Sequence, residues 1–379
     1  MGKYKFEDIA INCTQKKIPS EEDKAKYIGL EHLDSGSLYV KRWGSTVPLK
    51  GEKLIMHKGD VLLGKRNAYL RRAAICPHDG IFSAHGMVLK PRTEVIDERF
   101  FPLFIASDYF FDVAVRISVG SLSPTVNWRD LREVEFELPT LEDQRKLADV
   151  LWAINDTKES YKELIAATDE LVKSQFIEMF GDPVSNTQQR QIVPFKSFMR
   201  SIRYGTSTPP KFSEEGEYKF IRATNIKNGH IEEKDMLLIS EEEAAKIDKC
   251  KLSGGEIIIV RSGANTGDTC VVEEQYAGNY AGYDIIITLD SKRANPVFFN
   301  ELMNTHYMQT VIKPLTVRSA QPHINTEQVK NLPMIMASLY EQQQFAAFVR
   351  QSDKSKFELN QTLDDLNRIY KKIISDNLG

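Results

Sequence analysis

Apolar residues recur every three or four positions between Pro139 and Pro183, and the interior holds no Gly or Pro for about forty residues. The pattern predicts one long amphipathic helix, with Gly181 and then Pro183 as its stop signal. At about 1.5 Å per residue it would be roughly 60 Å long, more than a small domain needs, so it reads as a spacer. Its apolar stripe steps by four and three through Leu147, Leu151, Ile154, Lys158, Tyr161, Ile165, Thr168, Val172 and Gln175, a heptad seam with polar interruptions. Adding 198 to each number gives Phe345, Val349, Ser352, Lys356, Leu359, Leu363, Leu366, Tyr370 and Ile373, with a Lys at the same seam position. A second long helix is therefore predicted over 337–379, with Gly379 where the first copy has Gly181.

The stretches between the helices repeat too, and repeats decide the architecture. SEEDKAKYIGLEHLDSG from Ser20 aligns with SEEGEYKFIRATNIKNG from Ser213 at a shift of 193. KGDVLLGKRNAYL from Lys58 matches GGEIIIVRSGANT from Gly254 at 196, and GSLSPTVN from Gly120 faces RSAQPHIN from Arg318 at 198. VLLG and IIIV read as buried strands. RFFPLFIASDYFFDVAV and PVFFNELMNTHYMQTVI read as helices whose aromatic faces pack on the sheet. The predicted order is a globular domain over 1–138, a spacer helix over 139–181, a second domain over 182–336 and a second helix over 337–379. The predicted fold class is α+β: two duplicated α/β domains separated by two long helices. Paired through their seams as an antiparallel coiled coil, the helices would give approximate two-fold symmetry, a bar with a head at each end.

Composition adds limits. The chain has 379 residues, 41% of them apolar and 27% charged, which is ordinary for a globular protein of two or three domains. No apolar run approaches the roughly 18 residues of a membrane helix, and MGKYKFEDIA lacks the apolar core of a secretory signal, so a cytoplasmic protein with no membrane partner is expected. Cys13, Cys76, Cys250 and Cys270 form no C-x-x-C pair and read as free buried thiols.

A bar with two heads suits a ligand that is long and locally two-fold, and duplex DNA is the obvious one. The net charge of −3 argues against that unless positive charge is concentrated locally. It is concentrated: Lys65, Arg66, Arg71 and Arg72 bracket Asn67 and Tyr69 in the first copy. Arg203, Tyr204, Lys211, Arg261, Asn265, Arg318 and Gln321 supply the second. Arg and Lys neutralise phosphates or bridge a guanine edge, and Asn and Gln pair with adenine. The alternative reading is a coiled-coil protein-interaction scaffold with two globular heads. Off the seam, Trp152, Phe176, Met179 and Phe348 either face partner subunits or pack on the chain's own domains.

Signs of covalent chemistry are missing. Thr208-Pro209-Pro210-Lys211 lacks the flanks of an adenine methyltransferase motif, and SGANTGD lacks the Lys-Ser/Thr of a phosphate loop. No placed acidic array or Ser-His-Asp pattern suggests a catalytic or metal site, so no cofactor of its own is expected.

LVKSQFIEMFGDP at the first helix end, YGTSTPPKFSEEGEYKFIRATNIKNG after it, and GDVLLGKRNAYLRRAA in the first domain resemble the specificity subunit of type I restriction-modification systems. With the alternation of domain and helix, the resemblance covers essentially the whole chain. It implies a non-catalytic subunit whose two target recognition domains read the halves of a bipartite double-stranded DNA site. It implies helices that fix the spacer and dock two modification subunits, which carry S-adenosylmethionine. Restriction subunits using ATP and Mg²⁺ would join that core. No family motif assigns the base-reading residues, so those named above rest on the basic blocks.

Overall fold

A computed structural model describes residues 1–316 and 322–378. Arg318, Gln321 and Gly379 therefore lie outside the described residues. The chain divides into two compact units, one formed by Met1–Lys162 with Asn360–Gly379, the other by Glu163–Leu359.

In the first unit, an antiparallel sheet runs in the order Ala10–Cys13, Gly86–Pro91, Val61–Gly64, Ala73–Ile75. The VLLG strand is central and fully buried, hence its unbroken apolar run. A second sheet orders Lys16–Lys17, Lys53–Met56, Gly80–Phe82 and Tyr27–Ile28, the last pair parallel. Gly2–Lys5 pairs with Glu135–Leu138 and closes the unit just before the first long helix. Phe6, Phe104, Phe110 and Phe136 cluster beneath it with ring centroids 5.3 to 5.8 Å apart, edge-on except for the tilted Phe6–Phe110 and stacked Phe110–Phe136 pairs.

The second unit repeats this. Its four-stranded sheet runs Met199–Tyr204, Ile285–Leu289, Ile257–Ile259, Thr269–Val271, all antiparallel. Val61 faces Leu89 in the first unit, and Ile257 faces Ile287 in the second, so even the register repeats. Tyr218–Ile221 lies parallel to Tyr280–Ala281, as Tyr27–Ile28 does to Gly80–Phe82. Ile192–Pro194 and Pro333–Ile335 close the unit.

Both aromatic segments are interrupted rather than single helices. The first breaks into Phe100–Ile105 and Asp108–Arg116 because the Ser107 hydroxyl caps the second piece, accepting from Phe110 N at 3.1 Å. The second is α-helical over Pro296–Asn304 and then widens to a π turn at Met308–Ile312. Regular apolar spacing does not reveal such breaks.

The long helices span Leu141–Phe180 and Leu339–Leu378, 40 residues each. Gly181 ends the first in a left-handed conformation (φ 74°), and its N–H bonds Ile177 O at 2.8 Å. In the second unit the helices run antiparallel: Asp169 meets Lys356 at 3.0 Å, and Phe176 and Phe180 pack edge-on against Phe345. In the first unit, Ala148 and Leu151 share a core with Ile374 and Leu378. The seam residues are never exposed: Leu151, Val172, Phe345 and Val349 are buried, while Leu147, Ile154, Tyr161, Ile165, Leu359, Leu363, Leu366, Tyr370 and Ile373 are half-buried. Off the seam, Phe176 is core, and Trp152, Met179 and Phe348 pack against their own units. That decides between the two readings of these four residues: they are not a free docking face.

One device recurs at the foot of each helix. Gln144 and Gln342 are both fully buried. The Gln144 amide donates to Pro139 O (3.0 Å) and Val95 O (3.1 Å) and accepts from Asp97 N (2.7 Å). Gln342 does the same with Ala337 O, Arg293 O and Asn295 N. Each partner is 198 positions from its counterpart.

Among the described residues no helix is long and apolar enough to cross a membrane. Cys76, Cys250 and Cys270 are buried free thiols, and Cys13 is half-buried.

Candidate nucleic-acid interface

In each unit the loop leaving the central strand is held from outside by the segment before the closing strand. Val126 N donates to Lys65 O, and Ile324 N donates to Arg261 O, both at 2.9 Å. Arg66 bridges Thr125 as Ser262 bridges His323. Arg261 is thus the structural counterpart of Lys65.

In the first loop, Asn67 and Arg71 take left-handed backbone (φ 54° and 48°) around a short turn over Ala68–Leu70. Asn67 N bonds Pro124 O at 2.7 Å. Arg66 is exposed, its guanidinium reaching only Ser123 Oγ, at 3.2 Å, among the described residues, and Tyr69 stands out beside it, 55% exposed. Lys65 is half-buried, and burial, with Lys16 nearby, lowers its pKa. Arg72 is also half-buried. Arg71 is differently placed: it grips Asp108 and, at 2.6 Å, Asp112. Its charge is neutralised within the unit.

In the second unit, the Arg261 guanidinium sits between two tyrosine rings, 4.5 Å from Tyr204 and 4.3 Å from Tyr283. Stacking covers the faces of a guanidinium and leaves its in-plane N–H edge able to donate. Both rings are partly exposed. Tyr204 is itself anchored, its hydroxyl accepting from Thr326 N at 3.1 Å. Burial works against its phenolate, but the Thr326 bonds and the Arg261 charge outweigh this and lower its pKa. Beneath, buried Asp284 accepts from Arg261 N at 3.0 Å. Burial pushes this carboxyl up to about 6, against the opposing pull of Arg261.

The other predicted residues are spread more widely. Asn265 points its amide at Ala223 O (3.3 Å). Lys211 is exposed, with its backbone N–H on Glu243. Arg203 spends its donors internally: two on buried Glu256 (2.5 and 2.8 Å), the others on Lys249 O, Lys251 O and Thr288. Arg203 and Arg71 thus brace the scaffold. Tyr283 and Asp284 escaped the sequence reading because neither belongs to a repeated block. No group of three or more His, Cys, Asp or Glu able to hold a metal occurs among the described residues.

Residues 2–167 and 201–368 match the type I restriction modification DNA specificity domain. The chain belongs to that family. Two copies of the family domain thus account for most of the chain, in agreement with the internal repeat. The specificity subunit of the type I restriction enzyme EcoDI from Escherichia coli is 22% identical over 182 residues, 46% of this chain. That match spans only 40% of the relative's length. The crystal structure of a type I restriction-modification S subunit from M. genitalium superposes with TM-score 0.61 at 12% identity, covering 100% of this chain and 96% of that one. A second structure, from work on complex assembly and conformational transition of the type I system, gives TM-score 0.54 at 17% identity, covering 99% and 97%. The two-domain, two-helix fold is therefore that of type I specificity subunits.

Proposed function

We propose that the chain is the DNA-reading subunit of a type I restriction-modification complex, without chemistry of its own. Each globular unit reads one half of a bipartite duplex site, with Arg66 and Tyr69 working in the first and Arg261, Asn265 and Lys211 in the second. The observation that carries this is the repeated loop: in both units the same backbone bond fixes a basic segment with a guanidinium, exposed on Arg66 and half-buried against tyrosine rings on Arg261, that makes no salt bridge to a carboxylate among the described residues. An Arg edge so presented matches the O6 and N7 of guanine, or a phosphate.

The helices set the spacing between halves and carry two modification subunits, which supply S-adenosylmethionine. Restriction subunits bring ATP and Mg²⁺. On the first helix Leu164 and Leu171 lie seven residues apart and about half exposed, an apolar pair away from the seam that supports docking there. Footprinting of the reconstituted complex tests the reading: two protected half-sites separated by an unprotected gap are expected. One contiguous site would overturn it.

A further inference from the structure

The seam lysine is repeated in sequence, but its surroundings are not. In the second unit Lys356 is neutralised by Asp353 at 2.9 Å and Asp169 at 3.0 Å. The positions 198 residues away in the first unit are Asn155 (for Asp353) and Asn367 (for Asp169). Both carboxylates have become amides. Lys158 is only 8% exposed, lies over the Tyr370 ring at 4.9 Å, and has no carboxylate partner among the described residues. Burial first, then Lys162 and Lys371, holds its ammonium below the usual lysine pKa.

Lys158 and both amides line a cavity of about 600 Å³ within the first unit. Asn155 is 5% exposed, and among the described residues its Nδ2 donor makes no hydrogen bond of full geometry, although the Tyr39 hydroxyl lies close enough to feel it. A buried donor left without an acceptor is costly and uncommon. The cavity's other charges cancel: Arg71 grips Asp108 and Asp112, and Lys371 bonds Asp108 at 3.1 Å. Glu159, next to Lys158, is taken by Lys162 and Lys41. Arg71, Lys371 and Lys158 against Asp108 and Asp112 leave one positive charge, on Lys158. Leu38, Val113 and Ile374 make part of the wall apolar. The volume falls in the range of small-molecule sites.

We propose that this cavity is a binding site for a small monocarboxylate with an apolar tail, its carboxylate taking the place that Asp353 and Asp169 fill beside Lys356. The Asn155 amide donates to it, and the tail lies along Leu38 and Ile374. The site is independent of the DNA-reading loops.

Sodium butyrate is a suitable probe, titrated into the full chain against sodium chloride of equal ionic strength, with Tm as the readout. The expected result is a saturable rise of a few degrees in butyrate only. Lys158→Met removes the cation and should abolish the rise. The Asn155→Asp, Asn367→Asp double variant restores the carboxylates of the second unit, so it should melt higher without ligand and ignore butyrate. No saturable rise in the unaltered chain overturns the proposal, as does an undiminished rise in either variant.

Discussion

If Arg261 reads DNA as proposed, its side chain is ordered before any ligand arrives. A free arginine has many rotamers, and ordering it on binding is unfavourable. Between Tyr204 and Tyr283 that ordering is already done. Arg261→Ala should therefore weaken binding by about 1–3 kcal/mol and relax one half-site only, read by binding to a panel of single-base variants of the target. Tyr283→Leu keeps the cation but removes one wall, so a smaller loss at the same half-site is expected. Asp284 beneath the clamp titrates on its own account. Its native pKa, about 6, lies above the ordinary carboxylate value, so the folded state holds the proton more tightly than the unfolded chain. Stability therefore falls as pH rises from about 4 to 6, and the penalty persists above that range. Asp284→Asn keeps an oxygen for the Arg261 N–H and removes the buried charge. It should add on the order of 1–3 kcal/mol at pH 8 and almost nothing at pH 4, measured by urea unfolding at both.

At the level of elements, helix and strand came through in the sequence where burial is periodic or continuous. The heptad stripe gave both long helices, and VLLG and IIIV gave the central strands. The aromatic segments did not disclose their breaks, because Ser107 and the π turn at Met308–Ile312 act through hydrogen bonds that leave apolar spacing intact. Charge was legible only as a count. Lys65 to Arg72 looked uniformly basic, but Arg71 belongs to Asp108 and Asp112, distant in sequence, and Arg203 belongs to Glu256. The Tyr204, Arg261 and Tyr283 clamp assembles from three segments that no local pattern links. Gln144 and Gln342 are identical at the repeat shift, but a polar side chain at a helix foot carries no local signal that it is buried. Their burial makes a sharp prediction. Gln144→Leu leaves Asp97 N, Val95 O and Pro139 O without their partner, at about 1–3 kcal/mol for a buried group so orphaned. Hydrogen exchange should show protection lost around Asp97 and the helix start, with the Gln342 counterpart in the second unit unaffected.

For the whole molecule, the proposed function makes the paired helices a ruler, and a ruler can be lengthened. Seven residues added to each helix preserve the heptad phase, so the seam still closes on its partner. The insertion adds about 10 Å, or roughly three base-pair steps at 3.4 Å each. With 10 to 10.5 base pairs per turn, three steps also rotate one half-site by roughly 100° about the duplex axis, whereas a heptad barely rotates the helix. Length and phase thus disagree after one insertion. The lengthened chain should abandon its original spacer, keep the sequence of both half-sites, and bind its new best site more weakly than the parent binds its own. Selection from a library with fixed half-sites and random spacers reads all three. Retention of the original spacing would show that the helices do not measure the gap.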